Sequence, residues 1–191
     1  RDRSDGMGHG NQAALESRQA VELLRMCLDA GYDRAQTLTA VNGMMLLAGQ
    51  GERFTTVDLF LLDLWTGKAS LDKLGAAGSY LMQSEGLSLL GGDALPLGIL
   101  ENVESGEKLM QLHQGDTLIL LSDGVEDAYE NRQSMEETIR DALTLETAQD
   151  AANAILTGAP SGDSAPADDQ TVLVLRLIRA RADAKIEEMY Q

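Results

Sequence analysis

Several residue types are scarce in this chain of 191 residues, and each scarcity excludes a class of protein. Cys27 is the only cysteine, so an internal disulfide is excluded, and its apolar neighbours predict a buried, unreactive side chain. Only three prolines occur and 43% of the residues are apolar, which is typical of a globular domain. No apolar run approaches the roughly 20 residues of a membrane-spanning helix. We therefore expect a reducing, cytoplasmic setting and a domain that is not inserted into a membrane.

Basic residues are also in the minority. Lys and Arg number 15 against 31 Asp and Glu, and the formal net charge is −16. Binding to a nucleic-acid backbone requires clustered positive charge, so we expect no nucleic-acid partner. An acidic chain is, however, compatible with a site for cations.

The chain places aspartates at the ends of apolar runs. Thr117–Leu121 suits a buried strand and ends at Ser122-Asp123-Gly124, where the glycine would permit a sharp turn. The same trio occurs as Ser4-Asp5-Gly6, and Asp168-Asp169 stands before the apolar residues 172–178. These three places could meet around metal ions.

A metal site would explain why carboxylates gather. Without cations, close approach of Asp5, Asp123 and Asp168 is unfavourable, because like charges disfavour ionisation. Oxygen ligands without a His/Cys set favour Mg²⁺ or Mn²⁺ over zinc. Two such ions about 3.5–4 Å apart activate a water and hold a phosphoryl group. Asp-Gly pairs also form ordinary turns, so the spacing alone leaves both interpretations open.

The first part of the chain predicts two helices. Apolar residues at three- and four-residue steps indicate one helix over residues 12–30, which includes Leu15 and Leu24. A start at Asp33, with Gln36 three residues later, indicates a second helix to Gly49. Its apolar residues include Val41 and Met45.

The remainder predicts short strands and further helices. Residues 55–64 and 69–74 indicate a hairpin, and other strands are expected over 80–82, 87–90, 108–112, 117–121 and 171–178. Helices are expected to start at Ser134 and Thr147. Many short strands joined by tight turns indicate a mainly antiparallel α+β protein.

Five motifs occur in an order that resembles a known family. They are Ser4-Asp5-Gly6-Met7-Gly8-His9-Gly10, Phe54-Thr55-Thr56-Val57-Asp58-Leu59, Leu95-Pro96-Leu97-Gly98-Ile99, Leu121-Ser122-Asp123-Gly124-Val125 and Asp168-Asp169-Gln170-Thr171-Val172. The order resembles metal-dependent protein phosphatases of type 2C (PPM family), and most of all the phosphatase domain of the stage II sporulation protein E (SpoIIE) group.

The resemblance implies a fold and a division of the chain. The fold would be an α-β-β-α sandwich of two mainly antiparallel sheets flanked by helices. Residues 1–178 would form the phosphatase domain, without the early strand pair that relatives carry before their first Asp-Gly motif. Residues 179–191 would form a charged helical tail.

The resemblance also implies a site with two Mn²⁺ or Mg²⁺ ions. Asp5 would be the bridging ligand, the Gly6 carbonyl would contribute, and Asp123 and Asp168 would complete the set, with Asp169 next to them. The first two helices, through Leu15, Leu24, Val41 and Met45, match the element that switches the metal site in relatives.

The implied substrate is phosphoserine on a small protein of the anti-sigma factor antagonist type, in the control of a sporulation sigma factor. Full-length relatives are membrane-anchored, and the apolar helices could support a homodimer. Two alternatives remain open: a regulatory or partner-binding module that has the same fold and is catalytically weak or inactive, and a hydrolase of small phosphoesters. The second would need a basic phosphate cradle, for which the sequence offers little.

Overall fold

A computed structural model of the chain describes residues 11–49, 54–92, 94–103, 106–158 and 169–178, with the side chains of 11–16, 48 and 49 outside the description. The described helices are α1 (Asn11–Asp29), α2 (Arg34–Gly49), α3 (Asp123–Glu126), α4 (Arg132–Ala142) and α5 (Ala148–Gly158). The described strands are β1 (Val57–Leu62), β2 (Lys68–Leu74), β3 (Ser79–Gln83), β4 (Gly86–Leu90), β5 (Lys108–Gln111), β6 (Thr117–Leu121) and β7 (Val172–Arg176).

The described residues form two sheets, which confirms the predicted α+β class. One has the strand order β1-β2-β5, and the other has the order β4-β3-β6-β7. All three pairings of the four-stranded sheet are antiparallel. The chain divides into two compact units, one of Arg1–Leu61, Ser70–Ala76 and Gly91–Leu109, the other of Leu62–Ala69, Ala77–Leu90 and Met110–Gln191.

In the first unit, α1 and α2 begin and end where the sequence predicts. Gly31 adopts φ +87° after α1, and its N–H donates to the Leu28 carbonyl. This is the left-handed C-terminal cap that glycine favours. Asp33 and Gln36 form reciprocal bonds at the start of α2, because each backbone N–H donates to the other's side chain, at 3.1 and 2.8 Å. This arrangement confirms the predicted capping box.

The core of the first unit contains the apolar face of both helices. Leu24, Val41 and Met45 are buried in it, as is Cys27, which confirms the interpretation of that cysteine as a core residue. The remaining buried members are Ala20, Leu38, Val57, Leu59, Leu74 and Leu97. No helix in the described ranges is long and apolar enough to cross a membrane.

The second unit contains the four-stranded sheet and the last three helices. Strand β6 lies between β3 and β7, with Leu118 and Ile119 fully buried. Helices α4 and α5 contribute Met135, Ile139 and Ile155 to a core that also includes Ile119. Burial on both sides explains why β6 reads as an uninterrupted apolar run.

Two local predictions were wrong. Helix α4 begins at Arg132 and not at Ser134, because Asn131 is the N-cap residue and its side chain accepts the Ser134 N–H. Asp123 and Gly124 begin the short helix α3, so the chain turns there through helical residues and not through a glycine of positive φ. Gly124 is buried in that helix and is absent from the positive-φ glycines of the described residues.

Candidate metal centre

The site begins where strand β6 ends. Ser122 has an extended backbone, with φ −82° and ψ 159°, and Asp123 is the first residue of α3. The change from strand to helix turns the chain at the edge of a buried strand. Asp123 is therefore exposed, although the buried Leu121 lies only two residues before it.

Ser122 joins this turn to the chain that enters β7. The last strand pair is Leu121 with Val172, and the Ser122 N–H extends the ladder by donating to the Thr171 carbonyl at 3.0 Å. The Ser122 hydroxyl accepts the Thr171 N–H at 2.9 Å and donates to the Asp169 carbonyl at 3.1 Å. One serine thus holds the Asp123 turn against the backbone of Asp169.

Gln170 supplies a second link between the same two segments. Its side-chain amide donates to the Gly124 carbonyl at 3.0 Å. This bond crosses from the segment that carries Asp169 to the helix that carries Asp123. Two independent contacts therefore fix the relative position of the two acidic turns.

Glu126 anchors the other end of α3. Its Oε2 accepts the Gly78 N–H at 3.2 Å, just before strand β3 begins. A side chain on Gly78 would lie 3.0 Å from a Leu89 methyl group and 3.7 Å from the Glu126 carboxylate, so the fit is tight. Helix α3 is consequently held to β7 at its start and to the entry of β3 at its end.

The donor chemistry of the site fits a hard divalent cation. Asp123 is exposed, and the one bond that its carboxylate accepts within the described residues is the Gly124 N–H at 3.0 Å. The remaining oxygen lone pairs are available to a ligand. Carboxylate oxygens are what Mg²⁺ and Mn²⁺ prefer.

The structure describes only part of the predicted ligand set. At the β6–β7 junction, Ser122, the chain neighbour of Asp123, bonds to the backbone carbonyl of Asp169. Asp5, Gly6 and Asp168 lie outside the described residues, and so does the side chain of Leu15. Among the residues that are described, no three His, Cys, Asp or Glu side chains form a group that could hold a metal.

Sequence reasoning assigned no role to Ser122, Gln170 or Glu126. Ser122 and Gln170 are adjacent to the aspartates of two quoted motifs, and their position was the only available signal. The hydrogen-bond partner of each of these side chains depends on the register between β6 and β7. This register cannot be derived from the sequence.

Comparison with known proteins identifies the family. The model of the family described as stage II sporulation protein E (SpoIIE) matches residues 3–178. The stage II sporulation protein E of Priestia megaterium is 32% identical over 122 residues, which are 64% of this chain and 21% of that protein. The chain thus spans about a fifth of that relative's length.

Solved structures show the same fold. The PP2C phosphatase domain of SpoIIE from Bacillus subtilis, with a fragment of its regulatory domain, superposes with a TM-score of 0.77 at 28% identity, over 91% of this chain and 52% of that one. RsbX, solved in complex with magnesium, gives a TM-score of 0.67 at 17% identity, over 89% of this chain and 76% of RsbX, and supports the fold alone. Because the family match extends from residue 3 to residue 178, the chain belongs to the stage II sporulation protein E family and has the PP2C phosphatase fold.

Proposed function

We propose that this domain is a metal-dependent protein serine/threonine phosphatase that removes phosphate from phosphoserine on a small regulatory protein. We extend the proposal to a substrate of the anti-sigma factor antagonist type, in control of a sporulation sigma factor, and membership of the SpoIIE family supports this choice. The observation that carries the proposal is the β6–β7 junction, where Ser122 and Gln170 hold the Asp123 turn beside Asp169.

The proposed ligand set consists of Asp5, the Gly6 carbonyl, Asp123 and Asp168, with Asp169 beside them. It would hold two Mn²⁺ or Mg²⁺ ions, which lower the pKa of a water and stabilise the charge on the phosphoryl group when they are bound. Asp168 is covalently next to Asp169, whose carbonyl accepts the Ser122 hydroxyl.

The residues of the domain would bind the cations and hold the site in a fixed geometry before the ligands arrive. Asp123 supplies exposed carboxylate oxygens at the end of a rigid buried strand, so its position costs little reorganisation when ligands bind. No covalent phosphoenzyme is proposed, because the carboxylates serve as cation ligands and the nucleophile is water. The formal net charge of −16 further favours cations at this edge.

The experiment is release of phosphate from a phosphoserine protein of the anti-sigma antagonist type, with and without Mn²⁺. Wild-type protein is compared with Asp123→Asn and with Asp127→Asn, the same substitution at an exposed residue directly after α3. We expect Mn²⁺-dependent release in wild type and in Asp127→Asn, and background release in Asp123→Asn.

Two results would contradict the proposal. Equal activity of wild type and Asp123→Asn would remove Asp123 from the reaction. A folded wild-type domain that releases no phosphate at any Mn²⁺ concentration would favour the alternative, a partner-binding module with the same fold.

A further inference from the structure

Gln170 occupies a distinctive place in the register of β6 and β7. The antiparallel pairs run to Leu121 with Val172, and Ser122 then bonds to Thr171. Gln170 directly precedes Thr171, so in this register it lies opposite Asp123. Asp123 is no longer part of β6 and is the first residue of helix α3. Its side-chain amide links the segment before β7 to that helix by donating to the Gly124 carbonyl.

The Gly124 carbonyl needs this donor. In α3 the N–H of Asp127 donates to the Asp123 carbonyl at 2.8 Å, and the N–H of Ala128 donates to the Val125 carbonyl at 3.2 Å. Neither of these bonds uses the carbonyl of Gly124, and Gly124 is buried. A buried backbone carbonyl without a partner costs about 1–3 kcal/mol, so the Gln170 amide replaces a bond that the short helix does not make.

We propose that Gln170 is a positioning residue, which fixes the Asp123 carboxylate relative to Asp169 and so preorganises the site for a divalent cation. This inference rests on the proposed function. Asp123 is the first residue of α3 and Asp169 directly precedes Gln170 in the chain, so the Gln170 side chain restrains the separation of the two acidic residues in addition to Ser122. Gln170 itself is proposed to touch neither the ion nor the substrate.

Ser122 is less suited to this role. Its N–H and hydroxyl continue the hydrogen bonding between β6 and the segment before β7, so its loss would disturb the sheet. The Gln170 side chain makes a part-buried bond that is not one of the strand pairs, so its removal leaves the pairing of β6 with β7 intact. It is therefore the better residue with which to separate positioning from folding.

The test measures Mn²⁺ binding by calorimetry and amide hydrogen exchange of the metal-free protein. The variants are Gln170→Met, which keeps the length and removes the donor, and Gln170→Asn, which keeps a neutral amide that is too short to reach. The matched control is Gln149→Met, at an exposed glutamine on α5 that bonds to Asn153 on the same helix. Asp123→Asn serves as the variant that lacks the ligand.

We expect both Gln170 variants to bind Mn²⁺ about 10–100-fold more weakly, as is typical when a residue that orients a metal ligand is removed. The amides of Asp127 and Ala128 should also exchange faster, since α3 loses its link to β7. Gln149→Met should match wild type in both measurements. If Gln170→Met fails to fold, Gln170→Asn supports the same comparison.

A merely structural role would lower the thermal midpoint and leave Mn²⁺ affinity unchanged, and that result would overturn the inference. Unchanged exchange and unchanged affinity would overturn it as well. Absence of Mn²⁺ binding in wild type is a different failure, because it removes the proposed function and, with it, the site that Gln170 would position.

Discussion

Replacing Asn42 with alanine should destabilise the first unit through a loop that carries one of the five motifs. Asn42 lies on α2 and is 2% exposed. Its Oδ1 accepts the Gly98 N–H at 2.8 Å, and its Nδ2 donates to the carbonyls of Leu100 at 2.8 Å and Glu101 at 3.3 Å. One amide thus joins a helix to the loop that follows Pro96.

The magnitude can be worked out group by group. The Gly98 N–H is buried and would lose its partner, which costs about 1–3 kcal/mol. The carbonyls of Leu100 and Glu101 belong to exposed residues, so water can replace Nδ2 there at little cost. Loss of packing adds about 1 kcal/mol, and the better helix propensity of alanine offsets about 0.5 kcal/mol. The free energy of unfolding should therefore fall by about 1.5–3.5 kcal/mol.

Urea denaturation followed by circular dichroism measures this change. Asn102→Ala is the control, because Asn102 is exposed and close to Asn42's partners in the chain. The free energy of unfolding of Asn102→Ala should differ from that of the wild type by no more than about 0.5 kcal/mol. A loss below 1 kcal/mol in Asn42→Ala, or an equal loss in both variants, would refute the reasoning.

Three further changes test other contacts. Arg34→Met should lower the free energy of unfolding by about 2–4 kcal/mol, because Arg34 bonds to the fully buried Asp72. The control Arg25→Met removes only the exposed pair with Asp29 and should lower it by less than about 0.5 kcal/mol. Equal losses for the two variants in urea denaturation would contradict this expectation. Asn131→Ala should lower stability by about 1 kcal/mol through the lost cap of α4, and an unchanged thermal midpoint would refute that. Tyr80→Phe should leave stability at neutral pH unchanged or raise it by up to about 1 kcal/mol, because the buried hydroxyl has no partner among the described residues. Burial, with a smaller effect of nearby glutamates, raises the Tyr80 pKa to about 12. Between about pH 10 and 12 the phenol therefore loses its proton only in the unfolded state, and the stability of the wild type should fall as the pH rises through this range. In Tyr80→Phe this fall should be smaller, and an equal alkaline fall would contradict the assignment.

Elements with a clear local signal could be predicted from the sequence. Strand β6 was predicted as Thr117–Leu121, and the structure has the same bounds, because an apolar run between two turn segments permits few alternatives. Helix α5 follows the predicted start at Thr147, whose hydroxyl accepts the Asp150 N–H at 3.0 Å. Both predictions depend on contacts within a few residues along the chain.

Features that depend on contacts distant in sequence could not be predicted. The bond from Gln170 to Gly124 spans 46 positions, and it exists because β7 pairs with β6 in one particular register. Helix α3 was missed because Gly124 is a poor helix former, and its helical conformation is supported by that bond and by the Glu126 contact with Gly78. The metal ligands Asp5, Gly6 and Asp168 remain predictions, since they lie outside the described residues.

The most direct test of the proposed metal centre is anomalous scattering from crystals of this domain grown with Mn²⁺. We expect anomalous peaks within about 2.5 Å of the Asp123 carboxylate, with Asp5 and Asp168 as further ligands, and no such peaks in Asp123→Asn. An ordered, Mn²⁺-saturated crystal without a peak at Asp123 would contradict it.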